Sequence, residues 1–168
     1  PSNDALIDAM AAIISDETID PAFRALIMSL PAESEMASTL IAKGQPVDPI
    51  KLYKARQSFS NVLADQLFEL LTELYHRHLI SEPFRPDAKQ SAARKLTNAA
   101  LSYISRKDGG TLAAKQFKNA ENMTLQASAL NSLLCIGSGN PELEAFYKQW
   151  KGERLVIDRW FALQIGTA

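Results

Sequence analysis

The stretch 49-PIKLYKARQSFSNVLADQLFELLTELYHRHL-79 carries the longest helical pattern in the chain. Apolar residues recur in it at intervals of three or four, which places them along one face of an α-helix. These residues are Phe59, Leu63, Leu67, Leu70 and Leu74, with Val62 and Leu71 widening the stripe. The pattern predicts one long helix over 49–79, whose apolar face needs other helices to cover it.

Outside this stretch, capping residues indicate where helices begin and end. An acidic or amide side chain followed by proline is the preferred start of a helix. Such pairs occur at Asp20-Pro21, Asp48-Pro49 and Asn140-Pro141, with a similar start at Pro86 or Asp87. Glycines supply stops and turns. These are Gly44, Gly109-Gly110 and the run 137-GSGN-140.

These signals divide the chain into eight predicted helices. They cover roughly 3–15, 21–30, 34–43, 49–79, 87–107, 110–119, 123–136 and 141–165, the last as one helix or as two broken near Gly152. Short loops favour antiparallel neighbours, and few stretches show the alternation typical of strands. The predicted fold is all-α, with stacked antiparallel helical hairpins of α-solenoid (armadillo- or HEAT-like) character rather than a closed four-helix bundle.

Composition limits the classes of function. The 168 residues carry 18 Lys and Arg against 19 Asp and Glu, so the net charge of -1 gives no electrostatic case for nucleic acid or an anionic membrane. No apolar run approaches the ~20 residues of a membrane span. The single cysteine, Cys135, excludes a disulfide within the chain and weakly favours a reducing compartment, so we predict a cytoplasmic location.

The two histidines are the first candidates for chemistry. His76 and His78 lie two positions apart, so on a helix they point about 200° from each other and cannot share a metal. Glu73 and His76 do form an E-x-x-H pair, but di-iron sites use two such pairs with further carboxylates, and no second pair exists. A histidine near the carbonyls at a helix C-terminus is the favoured interpretation.

Two further motifs favour structural roles. Cys135 ends an apolar helix with no histidine near it in sequence, so we expect a buried cysteine that packs as a small hydrophobe rather than a nucleophile. The stretch 107-KDGGTLAAK-115 lacks the spacing of a phosphate loop and follows a helix. It predicts a helix–helix turn at Gly109-Gly110, with Thr111 able to cap the next helix.

Charge and aromatic residues concentrate in two places. The densest basic stretch contains Arg85, Lys89, Arg94 and Lys95, which we interpret as a solvated helix face, with contact to a negative partner as the alternative. The last helix is apolar on more than one face. Its apolar residues are Leu155, Val156, Trp160, Phe161, Leu163 and Ile165. We therefore expect neighbours on both sides of it and a chain that is a piece of a longer protein.

Several stretches resemble one known family in order and spacing. They are 16-DETIDPAFRALIMSLPAESEMA-37, 47-VDPIKLYKARQSFSNVLADQL-67, 115-KQFKNAENMTLQASAL-130 and 147-YKQWKGERLVIDRWFALQ-164. Together they look like part of the C-terminal helical domain of bacterial aminopeptidase N (alanyl aminopeptidase), a zinc metallopeptidase. The most specific parts are Gln116-Phe117, Asn122-Met123-Thr124 and Leu155 through Gln164.

The resemblance implies a multidomain parent whose catalytic domain holds zinc through an H-E-x-x-H motif and a distant Glu. That motif and the amine-binding G-x-M-E-N segment are absent here, so no catalytic, metal or cofactor residue is assigned, and substrate-binding residues stay unknown. The implied role is a non-catalytic segment that covers the catalytic chamber and limits substrate access. Its implied partners are the catalytic domain and peptides, with self-association expected through exposed helical ends. The alternative is a free-standing α-solenoid that binds a protein or peptide.

Overall fold

A computed structural model describes residues 3–167, and within that range the chain forms ten α-helices joined by turns, with no strand. The helices are α1 (Asn3–Ser15), α2 (Pro21–Ile27), α3 (Glu33–Ala42), α4 (Pro49–Gln66), α5 (Phe68–Arg77), α6 (Ala88–Asp108), α7 (Thr111–Asn119), α8 (Met123–Cys135), α9 (Asn140–Trp150) and α10 (Arg154–Thr167). The predicted all-α class is confirmed. None of these helices is long and apolar enough to cross a membrane.

The prediction of one helix over 49–79 is wrong, because the helix breaks at Leu67. This residue has φ -102° and ψ 8°, outside the helical region. Its N–H still donates to the Leu63 carbonyl at 2.9 Å, and its own carbonyl accepts from the Leu71 N–H at 2.8 Å. The chain therefore bends without a loop, and both α4 and α5 pack on α6. The apolar stripe stays buried on both sides of the bend.

The other helix boundaries follow the capping residues closely. The carboxylates of Asp20, Asp48 and Asp87 accept from backbone N–H groups at the starts of α2, α4 and α6, at 2.8 to 3.1 Å. Asn140 was predicted to cap in the same way, but it is the first residue of α9, and Gly139 takes the cap position without a side-chain bond. The break near Gly152 is real and separates α9 from α10.

Stacking centres on α6, which packs against α2, α4, α5, α7 and α8. Its apolar core residues have essentially no exposed surface; they are Leu96, Ala100, Leu101 and Ile104. The stack continues as α8 packs on α7, α9 and α10, while α1 packs on α2 and α5 at the other end. This pattern of neighbour-to-neighbour contacts matches the predicted stack of hairpins.

Buried polar groups join the layers at defined points. The Tyr103 hydroxyl on α6 donates to the Met28 carbonyl after α2 at 2.6 Å. The Tyr75 hydroxyl on α5 donates to the Gln116 side-chain oxygen on α7 at 2.7 Å. The Gln116 amide nitrogen in turn donates to the Leu125 carbonyl at 2.9 Å and to the Asn98 side chain at 3.2 Å. One buried glutamine thus connects α5, α6, α7 and α8.

Two turns, one before α7 and one after α8, lie close to Leu133. Gly110 and Gly139 have φ of +83° and +87°, a conformation that favours glycine. A Cβ atom at Gly110 would lie 2.6 Å from Leu133 Cδ2, and one at Gly139 would lie 2.7 Å from Leu133 Cβ. Gly109-Gly110 therefore forms the predicted helix–helix turn. The cap of α7 comes from Asp108, whose carboxylate accepts from the Gly110 and Leu112 N–H groups, and not from Thr111.

The Tyr103 hydrogen bond predicts a specific loss of stability. Tyr103→Phe leaves the buried Met28 carbonyl without its donor, which costs about 1–3 kcal/mol. Urea denaturation followed by circular dichroism measures this loss as a lower midpoint with an unchanged slope. Tyr53→Phe is the matched control, because Tyr53 is half-exposed, and it should stay within ~0.5 kcal/mol of the parent chain. Equal stabilities for the two variants would contradict this account of the α2–α6 contact.

Candidate functional site

A cavity of about 950 Å³ forms a groove lined by residues of α2, α6, α8 and α10. These four helices lie side by side, because α2 contacts α6, α6 contacts α8, and α8 contacts α10. The groove is therefore built by the stacking itself rather than by an inserted loop.

The lining residues recur on each helix at helical spacing. They are Ala22, Ala25 and Leu26 on α2, with Ser29 just after it; Lys95, Asn98 and Ala99 on α6; Met123, Thr124, Ala127, Ser128 and Asn131 on α8; and Leu155, Val156 and Arg159 on α10. On α8 they include the steps i, i+3, i+4 and i+7, which mark one helix face. The faces that line the groove carry short alanine side chains, so space remains between the helices. These alanines are Ala22, Ala25, Ala99 and Ala127.

The groove carries positive charge and amide groups, with no acidic residue in its lining. Lys95 and Arg159 are exposed, and neither takes part in an ion pair among residues 3–167. Asn98 and Asn131 stand along the same surface. Amide side chains both donate and accept hydrogen bonds, so they suit the backbone of an extended peptide.

Sequence reasoning singled out Lys95 as part of the basic stretch but did not assemble the groove, since four separate helices supply its lining. The signal that would have found them is the stripe Thr124, Ala127, Ser128 and Asn131, which is small and polar at helical spacing. Similar stripes on α2 and α6 fit the same pattern. Nothing in the sequence alone shows that these stripes face one another.

The Glu73/His76 pair is not brought together. Glu73 instead forms an ion pair with Arg77, which also pairs with Glu17. His76 is exposed in the last turn of α5 and contacts the Tyr75 ring edge-on, with centroids 5.4 Å apart. The predicted place of the histidines at a helix C-terminus is confirmed. Across residues 3–167 no group of three or more His, Cys, Asp or Glu residues is arranged to hold a metal ion.

His78 is the C-cap of α5, and its Nε2 atom is buried without a hydrogen-bond partner. Burial lowers the pKa of His78, and the charges of Arg24 and Arg77 lower it further, against an opposing effect of Glu17. Arg24 lies on α2, is 2% exposed, and donates from Nε to the Ile14 carbonyl at 2.7 Å. The imidazole is therefore held neutral where α1, α2 and α5 meet.

Cys135 is exposed at the end of α8, so the expectation of a buried cysteine is wrong. Helix α8 ends here, and the Cys135 Sγ atom accepts only a long contact from the Asn131 amide at 3.8 Å. Partial desolvation nevertheless raises the pKa of the thiol, against weak opposing charges from Arg106 and Arg56. A raised pKa lowers the fraction of thiolate, which is the nucleophilic form of cysteine.

The basic stretch is only partly a solvated face. Lys89 and Lys95 are exposed, and Arg85 pairs with Glu82 and Asp87. Arg94 differs from the prediction because it is buried. Its guanidinium lies 4.7 Å from the centroid of the Phe84 ring, and it also donates to the Gln90 side chain at 3.1 Å. Arg94 thereby holds the loop before α6 in place.

Within residues 3–167, α10 is covered on one face only. Trp160 donates from its indole nitrogen to the Leu143 carbonyl on α9 at 3.0 Å. Val156 and Leu163 are buried, whereas Leu155, Phe161 and Ile165 are 83%, 54% and 79% exposed. These three residues form an uncovered apolar face, which we call the α10 face.

The residues that carried the family resemblance have structural tasks. Gln116 is the buried glutamine that joins four helices, and the Asn122 side chain caps α8 by accepting from the Leu125 N–H at 3.0 Å. Trp160 fixes α10 on α9. The most specific parts of the resemblance therefore include residues that cap α8 and fix helices to one another.

Comparison with known proteins agrees with this arrangement of stacked helices. Residues 1–168 match the family described as a domain of unknown function, DUF3458_C, with ARM repeats. Because the match spans the whole chain, the chain belongs to this family. The armadillo-like character predicted for the fold is thereby confirmed.

Known relatives of the chain are aminopeptidases. It is 32% identical over 162 residues to aminopeptidase N of Escherichia coli (strain K12), a match that covers 94% of this chain and 18% of that protein. Identity to aminopeptidase N of Caulobacter vibrioides is 33%, with the same coverage. The crystal structure of Legionella pneumophila aminopeptidase A in complex with aspartic acid matches with a TM-score of 0.77 and 27% identity, over 94% of this chain and 20% of that one. The chain spans about a fifth of these relatives.

The His78 environment predicts an acid-sensitive junction. Since the pKa of folded His78 lies below that of the unfolded residue, the unfolded state binds a proton more readily as the pH falls through ~6.5. The stability that neutral His78 contributes is therefore fully present above pH ~6.5 and is lost as the pH falls below that value. The free energy of unfolding, measured in urea from pH 8 to pH 5, should fall less steeply for His78→Gln than for the parent chain. A pH dependence in His78→Gln that is equal to or steeper than that of the parent chain would contradict the assignment.

Proposed function

We propose that this chain is a non-catalytic helical segment of a zinc metalloaminopeptidase. The observation that carries the proposal is the match of 94% of the chain to about a fifth of several bacterial aminopeptidases. The parent protein would release N-terminal residues from peptides, with alanine preferred or with broad choice. Its catalytic domain, on the same parent chain, would be the main partner of this segment.

The zinc of the parent is proposed to lie in that catalytic domain. The residues of this segment do not fit such a site, because Glu73 is engaged by Arg77 and the two histidines point apart. In the parent, zinc supplies an activated water for attack on the scissile carbonyl. The segment's own role is packing and control of access.

Two features support a role in covering the catalytic chamber. The groove offers a wall of amide and cationic groups to a passing peptide. The α10 face offers apolar surface for a neighbouring element to cover. We also propose a cytoplasmic location, because a single exposed thiol suits a reducing compartment.

A free-standing binding module is the second candidate, and the groove is the observation that favours it. An α-solenoid binds partners along the surface that its stacked helices form, without any catalytic domain. The two candidates differ in what accompanies the chain. A gene that encodes this domain without a metallopeptidase domain would support the module.

Activity assays separate the candidates directly. We expect the 168-residue chain to be inert on an alanyl chromogenic substrate, with or without added zinc, since residues 3–167 present no group of His, Cys, Asp or Glu arranged to hold a metal ion. The full-length gene product should turn the same substrate over and lose activity with a chelator. Turnover by the short chain would contradict the proposal, and Cys135, Glu73 and His76 would then be the first residues to replace. A full-length product without zinc-dependent activity would favour the binding module.

The α10 face predicts self-association of the isolated chain. Leu155, Phe161 and Ile165 are exposed, and pairing with a second copy would remove their apolar surface from water, which stabilises by roughly 25 cal/mol per Å² buried. Light scattering should show a concentration-dependent rise in mass for the parent chain. Replacing Leu155 and Ile165 by serine should restore the monomer. The matched control Leu26→Ser, also exposed but on α2, should not; a parent chain that stays monomeric at high concentration contradicts the prediction.

A further inference from the structure

The groove is lined by two cationic side chains and by no acidic residue. A wall that only limits access to a chamber does not need this charge. The two charged lining residues, Lys95 on α6 and Arg159 on α10, have the same sign and come from helices separated by α8. Both are without an ion-pair partner in the described part of the chain. Several carboxylates elsewhere are already paired, such as Glu73, Asp65 and Glu144. Positive charge left unpaired on two sides of one cavity is complementary to a ligand with negative charge.

The remaining lining suits a peptide backbone more than a compact anion. Asn98 and Asn131 present amides, and Thr124 presents a hydroxyl, along the surface between the two cations. Adjacent packed helices lie about 8–10 Å apart, so four helices side by side span at most roughly 30 Å. An extended peptide advances about 3.3 Å per residue, so about eight residues cross the groove.

We propose that the groove binds extended peptides that carry a carboxylate, and that Lys95 and Arg159 recognise this carboxylate. The group is either the C-terminus of the peptide or an acidic side chain, since both present the same planar anion to an arginine. Asn131 binds the peptide backbone, and Asn98, whose Oδ1 atom already accepts from Gln116, adds only its amide N–H donors, while the alanines of the lining admit the side chains of the peptide. The inference deepens the proposed role in substrate access and rests on it for the supply of peptides.

Fluorescence anisotropy with labelled octapeptides tests the proposal on the 168-residue chain. The reference peptide combines Ala, Ser and Gly with one Asp and has a free C-terminus. Two partner peptides carry Asn in place of Asp, or an amidated C-terminus, and a third carries both changes. We expect the doubly neutral peptide to bind about five- to tenfold more weakly, as exposed charge pairs contribute modestly. Whichever single change weakens binding identifies the source of the carboxylate, and added salt should reduce the difference.

Matched variants assign the effect to the groove. Lys95→Gln with Arg159→Gln should remove the preference for the charged peptide while binding of the neutral peptide stays unchanged. Lys89→Gln with Arg154→Gln is the control pair, because it removes the same charges from α6 and α10 at exposed positions outside the groove. Circular dichroism checks that each variant is folded.

Three results would overturn the inference. They are equal affinity for charged and neutral peptides, no binding of any peptide, and an equal loss in the control pair. The peptide series on the unaltered chain keeps the test valid if the groove variants fail to fold. The binding measurement does not depend on catalysis, so failure of this inference can be told apart from failure of the proposed function. Zinc-dependent turnover by the full-length product, without peptide binding in the groove, would overturn this inference alone.

Discussion

The burial of α6 is the constraint on which the rest of the structure depends. A 21-residue helix with neighbours on most of its circumference needs both apolar side chains and internal partners for its polar ones. Ser105, with no exposed surface, satisfies its hydroxyl by donating to the Leu101 carbonyl at 2.7 Å. The side chains of Tyr103 and Asn98 hydrogen-bond to the segment after α2 and to α7, respectively. Because α6 is shared, the helices before it and after it form one core rather than two.

The same constraint produces the groove. Stacking α2, α6, α8 and α10 side by side aligns one face of each helix, and alanines on those faces keep the surface recessed. Elsewhere in the stack, Tyr75 on α5 and Gln116 on α7 share a buried hydrogen bond, and both residues also line a smaller cavity of about 290 Å³. The proposed peptide site thus lies where alanines recess the surface, while the contact between Tyr75 and Gln116 joins the layers.

The sequence predicted the helices well because capping is local. Asp20, Asp48 and Asp87 each act within three residues of their own position, so their effect is readable without knowledge of the fold. The break at Leu67 was missed because no proline or glycine marks it; it accompanies the packing of both α4 and α5 on α6. Arg94 was misread for the same reason, since its partner Phe84 lies in a loop whose path the sequence does not reveal. The groove was out of reach, because it exists only between helices up to 137 positions apart, from Ala22 to Arg159.

The packing of Leu133 constrains which substitutions this domain can accept during evolution. The Leu133 side chain fills the space beside two turns, each of which has a glycine in a conformation that other residues rarely adopt. A larger residue at Gly139 would meet Leu133 Cβ, an atom that no rotamer can move away. The three positions therefore form one epistatic unit, in which the order of substitutions matters. Shortening Leu133 relieves only the contact of its Cδ2 atom at Gly110 and leaves a cavity, whereas the contact at Gly139 persists for as long as residue 133 keeps a Cβ atom.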